Sequence, residues 1–188
     1  MEDETFFVGL INDIMKGDTH TRGEQELAIH VVLYQPEIPA NTGNVARSCA
    51  ATNTTLHLIR PLGFSTDDKY LKRAGLDYWE HVKIHYYDSM DEFFEKNAGG
   101  DFYYLSKFGE KPHTTFDYSD QDKEIFFIFG RETTGLPKDL IQENMDRCLR
   151  VPMTDKVRSL NLSNTAAILI YEALRQQNYR DLDIIREG

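Results

Sequence analysis

The chain alternates between short apolar runs rich in β-branched and aromatic residues and longer segments of mixed character. Residues 28–34 (AIHVVLY) form the first such run and predict a strand. Residues 55–60 (TLHLIR), 82–87, 101–106, 124–130 (EIFFIFG) and 148–153 predict the others. The 124–130 run is nearly all apolar, as expected of a strand covered on both faces. Between the runs, residues 42–52, 67–75, 89–96, 137–145 and 160–177 predict helices, with Pro137 in the first turn of the fourth. Strands alternating with helices predict an α/β fold, a mostly parallel sheet flanked by helices on both faces. Ligands of such sheets sit beyond the C-terminal strand ends. Three strand-exit stretches stand out there: residues 35–44 (QPEIPANTGN), 130–137 (GRETTGLP) and 151–164 (VPMTDKVRSLNLSN).

Composition narrows the class. Of 188 residues, 40% are hydrophobic and 28% charged, values of a globular chain rather than a disordered one. No apolar run approaches the roughly 20 residues of a membrane helix, and Met1-Glu2-Asp3-Glu4 is acidic where a secretory signal is basic. The two cysteines, Cys49 and Cys148, exclude a disulfide scaffold and a four-cysteine zinc site, so a reducing cytoplasmic setting is expected. Net charge is −10, which taken alone argues against nucleic acid. Half of that excess lies in residues 1–26, a polar stretch that reads as an N-terminal extension outside the fold. Arg22-Gly23-Glu24 is encodable by purine-rich codons resembling a bacterial ribosome-binding site, which makes Leu27 a candidate non-standard start. Residues 181–188 read as a tail after a domain spanning 27–180.

Common catalytic templates fail. Gly130 and Gly135 bracket four residues after a strand, but Leu136-Pro137 stands where a phosphate loop needs Lys followed by Ser or Thr. No GxGxxG or GxSxG occurs, and the six histidines show no metal-ligand spacing, so no metal is expected. Residues 158–164 (RSLNLSN) are the densest polar cluster and open a long helix, with more hydroxyl and amide groups than helix capping requires. Residues 166–174 (AAILIYEAL) carry one charge, Glu172, which predicts burial on more than one side, within the fold or at a subunit interface.

Together the three stretches resemble one family. Asn41-Thr42-Gly43-Asn44 with Arg47, Phe129 to Pro137, and Val151-Pro152-Met153 continuing through Arg158 to Asn164 are similar to the signatures of the SPOUT-superfamily RNA 2′-O-ribose methyltransferases. The match runs from about Leu27 to Tyr179. The short length, Leu33 to Pro39, and Arg73 to Tyr78 resemble the branch that methylates the wobble nucleotide of tRNA, cytidine or uridine 34. One departure is Arg131, where the family pattern has proline.

The resemblance implies a C-terminal trefoil knot, a homodimer and S-adenosylmethionine as cofactor. It implies a cofactor pocket of Leu105, Gly130, Val151 and Ser159, with Glu132, Gly135, Met153 and Leu160 beside it. It implies Asn41, Arg47, Ser159 and Asn161 as the catalytic set, with Arg47 at the reacting hydroxyl. Two roles stand open for Arg47: a bidentate hold on the adjacent RNA phosphate, which is the simpler, or a base of lowered pKa. Glu132 fits better as a structural or cofactor-side carboxylate. The expected partner is the anticodon loop of tRNA. Basic residues fall near the unusual stretches (Arg47, Arg60, Lys69, Lys72, Arg73, Lys107, Lys111, Arg131, Lys156 and Arg158), and Tyr78 and Trp79 are candidates to stack on a splayed base. A ribosomal-RNA methyltransferase and a non-catalytic RNA-binding protein on the same fold remain alternatives at this point.

Overall fold

The computed structural model describes residues 28–65, 81–180, 182 and 183. Seven strands form one sheet: β1 (Ile29–Tyr34), β2 (Thr55–Ile59), β3 (Ile84–Tyr87), β4 (Asp101–Leu105), β5 (Lys111–Pro112), β6 (Ile125–Phe129) and β7 (Cys148–Arg150). Their order is β3-β2-β1-β6-β4-β7-β5, and every registered pair is parallel. The helices are α1 (Pro39–Thr52), α2 (Met90–Lys96), α3 (Lys138–Glu143) and α4 (Leu162–Gln176).

The two-residue period of a strand sorts side chains to opposite faces of the sheet. Ile29, Val31 and Leu33 of β1, with Ile125, Phe127 and Phe129 of β6, pack among Val45, Ala46 and Cys49 of α1 and Ala166, Leu169, Ile170, Ala173 and Leu174 of α4. Val32 of β1, with Phe126 and Ile128 of β6, packs with Phe93 of α2 and Ile141 of α3. Burial on both faces is why β6 reads as an unbroken apolar run.

Several boundaries differ from expectation. Helix α1 begins at Pro39, three residues before the predicted start. The predicted strand 82–87 is confined to Ile84–Tyr87. Pro137 stands at the N-cap of α3 rather than in its first turn, and the predicted 137–145 helix ends at Glu143, a 3-10 turn (Met145–Arg147) following. Strand β7 stops at Arg150, and residues 151–161 are irregular up to α4. The short strand β5 and the 3-10 turn His113–Thr115 were not predicted. The predicted helix 67–75 and residues 1–26 lie outside the described residues.

Sheet order positions the candidate site. With β6 between β1 and β4, and β7 beside β4, the exits at residues 35, 130, 106 and 151 fall next to one another along one edge. The loop 106–110 crosses from one side of β7 to the other. The Ser106 N–H donates to the Leu149 carbonyl at 3.1 Å, and Gly109 lies flat on the Leu149 backbone, where a Cβ would come within 2.7 Å of the Leu149 carbonyl carbon.

Candidate active site

Glu132 joins the three stretches. Its carboxylate accepts from the Glu37 N–H (2.8 Å), the Ile38 N–H (3.2 Å) and the Asn41 side-chain amide (3.1 Å). A carboxylate only accepts, so Asn41 must turn its NH2 toward it. The Asn41 oxygen then accepts from the Asn161 amide at 3.0 Å. That leaves the Asn161 oxygen to cap α4, accepting from the Ser163 N–H (2.9 Å) and hydroxyl (2.7 Å). One directional chain, Asn161 to Asn41 to Glu132, thereby ties the β7 exit to α1 and to the β6 exit. Glu37 reciprocates, its carboxylate accepting from the Thr133 N–H (3.0 Å) and hydroxyl (2.8 Å), which hold that carboxyl below the usual carboxylate range.

The β6 exit is itself closed on itself. Arg131 and Gly135 exchange backbone hydrogen bonds, with Gly135 in the left-handed region at φ 75. A Cβ on Gly130 would stand 2.1 Å from the Gly135 carbonyl carbon, so only glycine fits there. The Arg131 guanidinium donates to the Gln35 side-chain oxygen and lies 5.9 Å from the Tyr34 ring centroid, a further tie to β1.

The remaining predicted residues fall in three places. Leu105, Gly130 and Val151 stand at the exits of β4, β6 and β7, three neighbouring strands, with Val151 buried and the other two half-buried. Met153 and Ser159 are exposed on the irregular 151–161 stretch, and Leu160 is half-buried just before the Asn161 cap. Arg47 is exposed, whereas Asn41, Thr42, Gly43, Val45 and Ala46 of the same helix are buried. Six residues along a helix turn Arg47 well away from Asn41, so the two belong to different faces of α1. Among the predicted basic residues, Arg60 is paired to Asp88 at 2.7 Å and Lys156 and Arg158 are exposed. Lys69, Lys72, Arg73, Tyr78 and Trp79 lie outside the described residues.

The sequence matches the SpoU rRNA methylase family over residues 28–171. The chain belongs to this family. A Bacillus subtilis relative, provisionally named tRNA (cytidine(34)-2′-O)-methyltransferase, is 76% identical over 156 residues, covering 83% of this chain and 98% of its own. A protein solved in a study of 2′-OH methylation of C/U34 on tRNA is 43% identical with a TM-score of 0.74, covering 81% of this chain and 97% of its own. An rRNA methyltransferase from Sinorhizobium meliloti, solved with AdoMet bound, is 25% identical with a TM-score of 0.70, covering 80% of this chain and 57% of its own.

This member of the SpoU family holds features that sequence reasoning missed. On the α2-facing side of the sheet, His30, His57 and Tyr87 are buried in one hydrogen-bonded row, His30 Nδ1 to His57 Nε2 at 3.0 Å and His57 Nδ1 to Tyr87 Oη at 2.9 Å. A single histidine inside each of three apolar strand runs (His30, His57, His85) was the available signal, but only strand register brings the rings together. Among the described residues no group of three or more His, Cys, Asp or Glu side chains is arranged to hold a metal ion, and no helix is long and apolar enough to cross a membrane. A concavity at the opposite strand ends carries Asp101, paired with Arg147 (3.3 Å) and Lys123 (3.6 Å). Both of its cations are paired with its carboxylates, and the polar loops converge elsewhere.

Proposed function

We propose that the chain methylates the 2′-hydroxyl of the wobble nucleotide of tRNA, cytidine or uridine 34, using S-adenosylmethionine. The observation that carries this reading is the 76% identity, over nearly the whole of a relative bearing that name, in a chain whose three strand-exit stretches meet at Glu132. The residues present suit the cofactor. Leu105 and Val151 offer apolar walls at neighbouring strand ends, Gly130 brings backbone close, and Ser159 and Leu160 supply the third side, a setting fit for an adenosyl group. Glu132, Gly135 and Met153 border it in this reading. When bound, the cofactor supplies an electrophilic methyl group on a sulfonium.

The chain's own residues do the rest. A ribose hydroxyl is a weak nucleophile, so its orientation and the route of its proton are what the protein must provide. Arg47 grips the adjacent RNA phosphate through its two-pronged guanidinium and turns the hydroxyl toward the methyl donor, leaving a phosphate oxygen to take the proton. Ser159 and Asn161 stand beside the hydroxyl, and Asn41 holds Asn161 in place. The reading includes a homodimer, a cytoplasmic setting, residues 27–180 as the methyltransferase domain, and a C-terminal trefoil knot. The crossing of β7 by loop 106–110 supports the knot.

The test is mass-spectrometric mapping of ribose methylation in tRNA from a deletion strain, complemented with wild type, Arg47→Ala or Arg47→Lys. Wild type restores the wobble mark, and neither variant does, while purified Arg47→Ala still binds S-adenosylhomocysteine. A wobble mark that survives deletion, alongside a lost mark in ribosomal RNA, overturns the reading. Restoration by Arg47→Ala removes Arg47 from the mechanism.

A further inference from the structure

Phe108 is 58% exposed, more than any other large hydrophobic side chain among the described residues. Exposure of this kind usually accompanies a mobile loop, yet this loop is pinned. The Phe108 N–H donates to the Ser106 hydroxyl at 3.1 Å, the Gly109 N–H donates to the Ser106 carbonyl at 3.1 Å, and Gly109 is wedged on the Leu149 backbone. The ring is therefore displayed from a fixed backbone, which lowers the ordering cost of any contact it makes.

Its surroundings indicate what it would contact. Phe108 lies three residues past Leu105, on the sheet edge where the candidate site is built. The Lys107 ammonium is 5.0 Å from the Phe108 ring centroid. Lys111, exposed at the start of β5, is held by the Asp146 carbonyl at 3.1 Å, and exposed Arg150 of β7 stands in register with Pro112. Glu110 is the one opposing charge within residues 106–112. In a chain of net charge −10, a pinned exposed ring with one ammonium at 5.0 Å and two further exposed cations on the adjoining strands β5 and β7 suits a polyanion that carries flat aromatic faces. A purely apolar protein partner would have to strip water from Lys107 to reach the same ring.

We propose that Phe108 is a stacking platform for an unpaired base flanking the modified nucleotide of the RNA, with Lys107, Lys111 and Arg150 receiving the neighbouring phosphates. The proposal rests on the tRNA reading above and adds an RNA-positioning contact to it.

The experiment measures binding of an anticodon stem-loop RNA, with S-adenosylhomocysteine present, to wild type, Phe108→Ala and Phe108→Trp. Loss of one base–aromatic stack weakens binding about tenfold or more in Phe108→Ala. Phe108→Trp binds as tightly as wild type or tighter, and the affinity for S-adenosylhomocysteine is unchanged in both. Stem-loops with an abasic nucleotide at position 33 or 35 identify the stacked base, because removing it abolishes the difference between wild type and Phe108→Ala. Equal binding by wild type and Phe108→Ala overturns the proposal, as does an alanine penalty that persists on both abasic RNAs. A Phe108→Ala chain whose sedimentation mass differs from wild type also overturns it, since the ring then serves a protein contact. Wild type that fails to methylate nucleotide 34 defeats the underlying reading instead, and does so without reference to Phe108.

Discussion

Glu132 collects three donors that come from 91 to 95 residues earlier in the chain, and Asn41 reaches Asn161 across 120. The residue types were legible in sequence, because polar side chains crowded at strand exits are unusual. Their partners were not, since nothing local says that a carboxylate in one exit will bind the backbone of another. The buried histidines show the same limit. With the Tyr87 hydroxyl donating to His57 Nδ1 and His57 Nε2–H donating to His30 Nδ1, every contact of the row is satisfied and Tyr87 Oη still accepts from Asn97 (3.3 Å). Both rings are then neutral, with no acceptor site left for another proton. His30 Nε2, buried without a hydrogen-bond partner, faces the exposed Glu124 carboxylate at 3.9 Å, and His85, beside Lys83, stacks on His57 at 5.2 Å. Burial, with His85 adding to it, pushes His30 down to about 4, and burial with His30 and His85 pushes His57 to about 2. The unfolded chain protonates these groups near 6.5, so it binds more protons than the folded one below that pH. Stability present above 6.5 is lost as pH falls toward 4, with a slope of up to about 1.4 kcal/mol per pH unit for each histidine. The depressed carboxylates Glu37, Glu92, Asp117 and Glu172 act lower, below about 4.5, which leaves pH 6.5–5 to the histidines. Urea unfolding at stepped pH checks this: His57→Gln is less stable at pH 7 but has the shallower slope between 6.5 and 5, and equal slopes would refute the assignment.

At the scale of elements, the alternation of apolar runs and helical segments located most strands and helices, and the misplaced ends have physical causes. The helix was expected from Thr42, yet α1 starts at Pro39, a residue suited to a first turn; its Ile38 cap has no polar side-chain atom, and the Asn41 amide goes to Glu132 and Asn161 instead. Helix α4 starts at Leu162 for the opposite reason, since Asn161 does serve as its cap. Strand β5 is two residues long, too short for any periodicity to show. The glycines of the β6 exit were readable as a turn, but which one is sterically required was not. Gly135 has a left-handed backbone with open space around its Cβ position, whereas Gly130 meets the Gly135 backbone. Gly130→Ala must therefore open the Arg131–Gly135 closure, at about 1–3 kcal/mol. Gly135→Ala costs only the left-handed penalty of about 1–2 kcal/mol. In urea unfolding Gly130→Ala is expected to be the less stable, and a reversed order would mean that backbone conformation rather than contact governs this turn.

At the scale of the whole molecule, the α/β class followed from the sequence but the strand order did not. Consecutive strands tend to pair, whereas here β1 pairs with β6, and β7 separates β4 from β5. That order also explains the apolar helix α4. Ala166, Leu169, Ile170, Ala173 and Leu174 face α1 and the sheet, so most of the apolar perimeter that predicted a second buried side is consumed within the fold. Ile170 and Leu174 are fully buried in that core. The outward stripe is Asn164, Ala167, Tyr171 and Arg175, at helical spacing, with Tyr171 47% exposed and Ile168 at its margin packed partly against the core. If α4 contributes to the proposed homodimer, this stripe is what it offers. A charge on each side separates the two roles of the helix. Leu174→Glu buries an unpaired carboxylate in the core and is expected to unfold the chain. Tyr171→Glu leaves the core intact, so the chain still folds cooperatively but sediments as a monomer, or as a dimer that already dissociates at far higher concentration than wild type. A Tyr171→Glu chain that sediments as a dimer as tight as wild type would take the outward face of α4 out of the interface.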